Sequence, residues 1–239
     1  MNSNMNVASV MAHQDDELMC LGTMLKMRDL GAKLHFICVT DGSCGMVQAP
    51  EMSRADAAAI RDREMRSLAS QLDASYQCLG EPDEFLYDTR EVRIALIQAI
   101  RACRAEVVFT HSDPDYNLDH MTVNALVRQC AMQAPFPMIR TESAPLPTSP
   151  AVFLVEPGVG FGFEPTHYVD ISANIGEKRS LALCHVSQDE AFRAGLGKGL
   201  GDWMCEASAQ RGAQVGVPHA EGFRPMMSRG LIKARAILP

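Results

Sequence analysis

NVASVMAHQDDE, residues 6–17, runs an apolar segment of strand length directly into a histidine and three carboxylates. The unbroken apolar run suits a strand covered on both faces, because a strand with one wet face alternates instead. In a doubly wound α/β sheet, ligands bind beyond the carboxyl ends of the strands, near the point where strand order reverses. A charged cluster in that position has two readings. Acidic residues alone suit the first turn of a helix, where free N–H groups and the macrodipole favour negative charge. That reading leaves His13 without a reason, and a divalent metal ion supplies one.

Working outward, strand-like and helix-like segments alternate through the first two thirds of the chain. Strands are predicted over 6–12, 33–40, 75–79 and 106–111, and helices over 15–30, 53–72, 89–104 and 119–133. Ser53 and Thr89 are N-cap candidates, Asp56 adds a weak capping-box match, and Gly31 suits the C′ position that closes the first helix. Five prolines within 134–150 exclude a continuous helix and predict a surface connection. Beyond it, 151–157 and 166–172 read as strands and 174–193 as one helix, whereas 194–230, rich in Gly and Met, has no clear period. The pattern predicts an α/β fold: a mostly parallel sheet with helices on both faces. It forms a single domain, with a core over about 5–190 and a C-terminal elaboration, 191–239, expected on or near the active site.

Composition narrows the function. A formal net charge of −7 with no basic run lacks the electrostatic footprint of a nucleic-acid binder, and no window has the length of a membrane span. MNSNMN carries no Lys or Arg and leads straight into a strand, so cytoplasmic residence is expected. Eight cysteines are scattered singly with no CxxC pair, which predicts mostly buried thiols rather than a thiolate zinc site. A small-molecule substrate is the expected partner, with neither nucleic acid nor membrane involved, and a homo-oligomer is compatible with the chain.

Three polar clusters fall at predicted strand ends: 13–17, 40–43 and 111–120. His13 and Asp16, three apart across a strand-to-helix turn, can converge on one ion while Asp15 points elsewhere. His120, preceded by Asp119, can add a third ligand from another strand end. Two His and one Asp with an open position match a catalytic zinc site better than a closed structural one. A metal-free cluster of helix-start carboxylates is the competing reading.

AHQDDE at 12–17, TDGSCG at 40–45, Arg61-x-x-Glu64, EPDEFL at 81–86, HSDPDYNLDH at 111–120 and the run from Lys178 through His185-x-Ser187-Gln188 together resemble the ordered motifs of the PIG-L/LmbE-like family of zinc-dependent N-deacetylases. The likeness spans most of residues 7–190. It implies a Rossmann-like fold, one zinc ion held by two His and one Asp, and hydrolysis of an N-acyl group, commonly on an amino sugar. By this resemblance His13, Asp16 and His120 match the metal ligands, and Asp15 matches the general base. Asn117 and Asp119 fall in the motif that carries the remaining catalytic groups. Arg61, Asp83, Ser43, Tyr116 and His185 match the substrate pocket. The competing readings are a surface ion pair with Glu64 for Arg61, a turn residue for Asp83 and a helix-packing role for His185. His111 is read as a loop-orienting residue and His35 and His167 as structural, while His219 and Trp203 are candidates for a wall or lid.

Departures from the family pattern stand at three positions. Gln14 replaces the usual proline of the first motif, Ser43 stands where relatives often carry Glu, and Asn117 replaces a histidine. An asparagine amide can donate to an oxyanion, but it cannot shuttle a proton at neutral pH. The resemblance therefore predicts removal of an acyl group, acetyl first, from an amino-sugar-like small molecule. A metal-dependent hydratase or lyase is the alternative. A nucleotide-binding module is the weakest reading, because the first strand ends without the glycines of a dinucleotide fingerprint.

Overall fold

The period-two sorting of side chains along the central strands builds two cores, one on each side of a sheet. In the computed structural model, which describes residues 5–160 and 162–227, β1 (Asn6–Met11) sends Val7 and Met11 to one side and Ala8 and Val10 to the other. β2 (Lys33–Thr40), β4 (Val107–Thr110) and β5 (Ala151–Val155) sort their residues in the same way. This double burial is why these strands read as continuous apolar runs. Helices α1 (Leu21–Asp29) and α2 (Arg54–Gln71) pack on the first side, α3 (Arg90–Ala102) and α4 (Leu118–Gln133) on the second.

With β3 (Ser75–Glu81), β6 (His167–Asp170) and β7 (Ala220–Pro225), the seven strands of the described residues run in the order β3-β2-β1-β4-β5-β7-β6. Strands β1 to β5 pair in parallel, whereas β7 is antiparallel to both β5 and β6. Chain order reverses between β1 and β4, so the polar segments after these two strands open at the topological switch point. The Rossmann-like, single-domain architecture agrees with the expectation from sequence.

Local chemistry sets several boundaries. Ser53 and Thr89 accept the backbone N–H groups of Asp56 and Val92 and so cap α2 and α3. Gly31, with φ 95°, follows the last turn of α1. The proline-rich 134–150 connection is irregular and is held by the buried guanidinium of Arg101, which donates to the carbonyls of Ala134, Phe136 and Ile139 at 2.8 Å each.

Two helix expectations and the expectation of mostly buried thiols need correction. The helix expected over 15–30 begins as a 3-10 turn, Asp16–Met19, before α1, because Asp15 takes a left-handed backbone with φ 111°. The helix expected over 174–193 is two, α5 (Ile175–Ala182) and α6 (Val186–Leu196), parted where His185 leaves helical geometry and is buried. The unassigned tail contains α7 (Leu200–Val215) and β7, and residues 228–239 lie outside the described ones. The eight cysteines are free, but only Cys20, Cys38 and Cys130 are fully buried; the rest are half-buried.

Candidate active site

Three ligand-type atoms meet at the switch point. His13 Nδ1 lies 3.2 Å from His120 Nε2, and the Asp16 carboxylate lies 3.3 Å from the first and 3.4 Å from the second. Around a tetrahedral cation with bonds of about 2.0–2.1 Å, neighbouring ligand atoms stand about 3.3 Å apart. The three pairs stand at about that spacing, Asp16 meeting His13 through Oδ2 and His120 through Oδ1. Two other clusters, His111-Asp115-His120 and His13-Asp83-Glu84, share a histidine with it. In each of the three sets a carboxylate also accepts a backbone N–H: Asp115 from Asn117 at 3.1 Å, Asp83 from Cys44 at 2.7 Å and Asp16 from His13 at 2.7 Å.

The far side of each ring explains why the near side converges. His120 Nδ1 lies 3.1 Å from Asp115 Oδ1, which places its proton there and turns the Nε2 lone pair inward. His13 Nε2 faces Asp83 Oδ1 at 2.9 Å and Asp119 Oδ2 at 3.5 Å, the ring being turned off the straight hydrogen-bond line. Burial alone would lower the His13 pKa, but Asp119, Asp16 and Asp83 hold it well above the ordinary histidine value. Beneath His120, at a centroid distance of 3.9 Å, stacks His111. Its Nε2 accepts the Ala12 N–H at 2.9 Å, and burial followed by the neighbouring His120 pushes its pKa down to about 4, so it is a neutral spacer.

Asp15, on a left-handed backbone with φ 111°, lines the same cavity and pairs with Arg61 Nη2 at 2.9 Å. Burial raises its carboxyl to about 6, with Arg61 pulling it down and Asp16 pushing it up. The same arginine donates to the Gln14 carbonyl. Arg61 is therefore not a surface partner of Glu64; Glu64 instead accepts from the backbone N–H and hydroxyl of Ser187 at 2.8 and 2.7 Å.

The atoms border a cavity of about 420 Å³. Tyr116, Asp83, Arg61 and Asn117 line it. Asn117 is also the N-cap of α4, its Oδ1 accepting from Asp119 N–H at 2.7 Å, which leaves the Nδ2 amide as its donor. Three expected site residues stand elsewhere. Asp119 lies behind His13, 3.5 Å from its Nε2, outside the cavity lining, and accepts the Glu84 and Leu86 N–H groups at 2.8 and 3.2 Å. Ser43 accepts from Arg54 Nε at 3.0 Å outside the cavity. His185 is 0 % exposed and does not face the cavity, because Glu17 draws its ring into the interior; Gln188 of the same motif lines the wall.

The structure adds residues that sequence reading missed. Glu156, after β5, lines the cavity and is gripped by Arg211 at 2.6 and 2.7 Å. The partners are 55 positions apart, so no local pattern links them. Phe192, Leu200 and Met204 form the far wall with Trp203, which was already a candidate; His219 lies outside it.

Fold and site together define a switch-point α/β protein with a convergent His-Asp-His set. The chain belongs to the PIG-L family, described as GlcNAc-PI de-N-acetylase, whose model matches residues 8–131. Among solved structures it is similar to N,N'-diacetylchitobiose deacetylase from Pyrococcus horikoshii, with 23% identity over 92% of this chain and 83% of that one and a TM-score of 0.79. It is similar also to the 4-carboxy-2-hydroxymuconate hydratase GalB from Pseudomonas putida, with 21% identity over 94% and 97% of the two chains and a TM-score of 0.78. A conserved protein from Thermus thermophilus shares 26% identity over 96% of this chain and all of its own (100%), with a TM-score of 0.77. No curated relative matches the chain.

Proposed function

We propose that the protein is a zinc-dependent N-deacetylase acting on an amino-sugar-like small molecule. The observation that carries this is the convergence of His13 Nδ1, His120 Nε2 and the Asp16 carboxylate, two of them ring nitrogens whose opposite edges face carboxylates. Two imidazoles and one carboxylate suit zinc among the common divalent ions. When bound, the cation supplies Lewis-acid charge at that point.

The chain's own residues do the rest. Asp15, raised to about 6 and held by Arg61, takes a proton from the attacking water at its carboxylate and returns it to the departing nitrogen. The Asn117 Nδ2 group donates to the oxygen on which negative charge develops, while its Oδ1 stays committed to the α4 backbone. No proton transfer is asked of residue 117.

The structural likeness to a hydratase raises a second reading. A muconate-type substrate carries carboxylates, whereas the cavity is bordered by Asp15, Asp16, Asp83, Glu84 and Glu156 and by one Arg or Lys, Arg61, already paired with Asp15. That balance favours an uncharged amide over a polyanion. The free state of the cysteines supports a reducing, cytoplasmic setting, and no described helix is long and apolar enough to cross a membrane. Acetate release from N-acetylglucosamine glycosides by the zinc-loaded protein tests the reading, with Asp15→Asn as the inactive control.

A further inference from the structure

The matched family region ends at residue 131, and the cavity wall contributed by α6 and α7 comes from beyond it. Gly158 is the key to its shape. A methyl group placed on Gly158 would stand 3.4 Å from Tyr116 Cε1 and 3.7 Å from Trp203 Cη2. Both rings therefore border the same point of the cavity wall, where a glycine leaves the space beside them unfilled. Tyr116 meets His120 edge-on at a centroid distance of 5.4 Å, so that space starts one ring away from the converged ligand atoms. Trp203 packs against Phe192, a second cavity-lining ring, at a centroid distance of 5.3 Å.

Exposure and charge point to the occupant. Val47, Tyr116 and Leu196 all line the cavity yet are 77%, 64% and 56% exposed, an apolar rim that a small acetamido sugar alone does not cover. Glu84 adds negative charge, Glu156 is already paired with Arg211, and the one lining Arg or Lys, Arg61, is paired with Asp15 and so is not free to receive an anion. We propose that the substrate's acceptor portion ends in an uncharged aryl-type group, held between Tyr116 and Trp203, and that phosphorylated or carboxylated acceptors are rejected. This specificity rests on the deacetylase reading for its chemistry, but the slot itself is a binding feature. Aromatic pairs favour stacked or edge-to-face contact, and such contact supplies affinity that a methyl group lacks.

The test uses the zinc-loaded protein with three probes: the methyl and benzyl glycosides of N-acetylglucosamine, and N-acetylglucosamine 1-phosphate. The benzyl glycoside is expected to exceed the methyl glycoside by about tenfold in kcat/KM, through KM, with the phosphate poorest. Trp203→Ala should erase the benzyl-to-methyl ratio and Trp203→Phe should keep most of it, with zinc content and melting temperature verifying the fold. Trp203 is the chain's single tryptophan, so its fluorescence reads binding without turnover. Benzyl glycoside should shift it at about tenfold lower concentration than methyl glycoside. Acetate release from the methyl and benzyl glycosides with equal kcat/KM and equal fluorescence titrations overturns the slot and leaves the deacetylase standing. A benzyl-selective fluorescence change with no acetate from any probe keeps the slot and removes the deacetylase. Preference for the phosphate overturns the charge argument.

Discussion

His185 Nε2 lies 2.7 Å from Glu17 Oε1 across 168 positions of sequence, and the other oxygen of Glu17 accepts the Asp15 backbone N–H at 3.0 Å. The late motif thus reaches the proposed base through one buried carboxylate. His185 breaks the α5–α6 helix to make this contact, and Glu17 in turn braces the left-handed backbone of Asp15.

Removing His185 leaves Glu17 buried without its partner, so His185→Ala is expected to destabilise the fold by about 3–5 kcal/mol. Denaturant unfolding measures it; a loss below about 1 kcal/mol would show that Glu17 has found another partner. The pH dependence has a definite sign. Burial alone lowers the His185 pKa, but Glu17 and then Asp15 raise it above the ordinary value of 6.5. A raised folded-state pKa gives stability that is fully present below about pH 6.5 and is lost as pH rises through the folded value. The stability gap between wild type and His185→Ala should therefore narrow as pH rises above about 6.5, and a gap that widens contradicts the assignment.

Much of this site is legible in the sequence, because His13 and Asp16 follow the apolar run of β1 directly and His120 closes the polar segment that joins β4 to the first turn of α4. The strands are legible for the same reason: burial on both faces leaves no polar alternation to confuse them. What is hidden depends on distant partners. Glu221 sits inside β7, where a charge argues against a buried strand, yet it is paired with Lys178 at 2.8 Å and accepts the Gly22 and Thr23 N–H groups at 2.8 and 2.7 Å, serving as the cap that Cys20 does not provide for α1. The glycines from 195 to 201 mask the start of α7 in the same way, since Gly199 caps it without a side chain.

Asp119, Asp16 and Asp83 outweigh burial and raise the His13 pKa well above the ordinary histidine value. A cation must displace the ring proton, so zinc affinity should rise with pH and binding should release protons. Calorimetry in buffers of different ionisation enthalpy counts them. Affinity that is flat from about pH 6 to 8 removes His13 from the ligand set.

Asp115 fixes the His120 ring from behind, so Asp115→Asn is expected to weaken zinc binding about 10–100-fold while leaving the helical circular-dichroism signal intact. Unchanged affinity means that the stacked His111 alone orients His120.

Asp15→Asn should keep the metal and lower turnover by about 10²–10⁴. Asn117→Ala should raise the barrier by about 2–4 kcal/mol, also with metal retained, and Asn117→His should add or shift a limb of the pH–rate profile that the natural residue lacks. Full activity of Asn117→Ala alongside an inactive, metal-loaded His111→Ala would move the oxyanion role to His111.

The central claim is tested most directly by zinc titration of the chelator-stripped protein, with acetate release from benzyl N-acetylglucosaminide followed at each addition. The account predicts that activity rises in proportion to bound zinc and stops rising at about one ion per chain, and that His120→Ala abolishes both binding and release. Acetate release at the same rate before and after stripping, or a full complement of zinc with no acetate released, contradicts it.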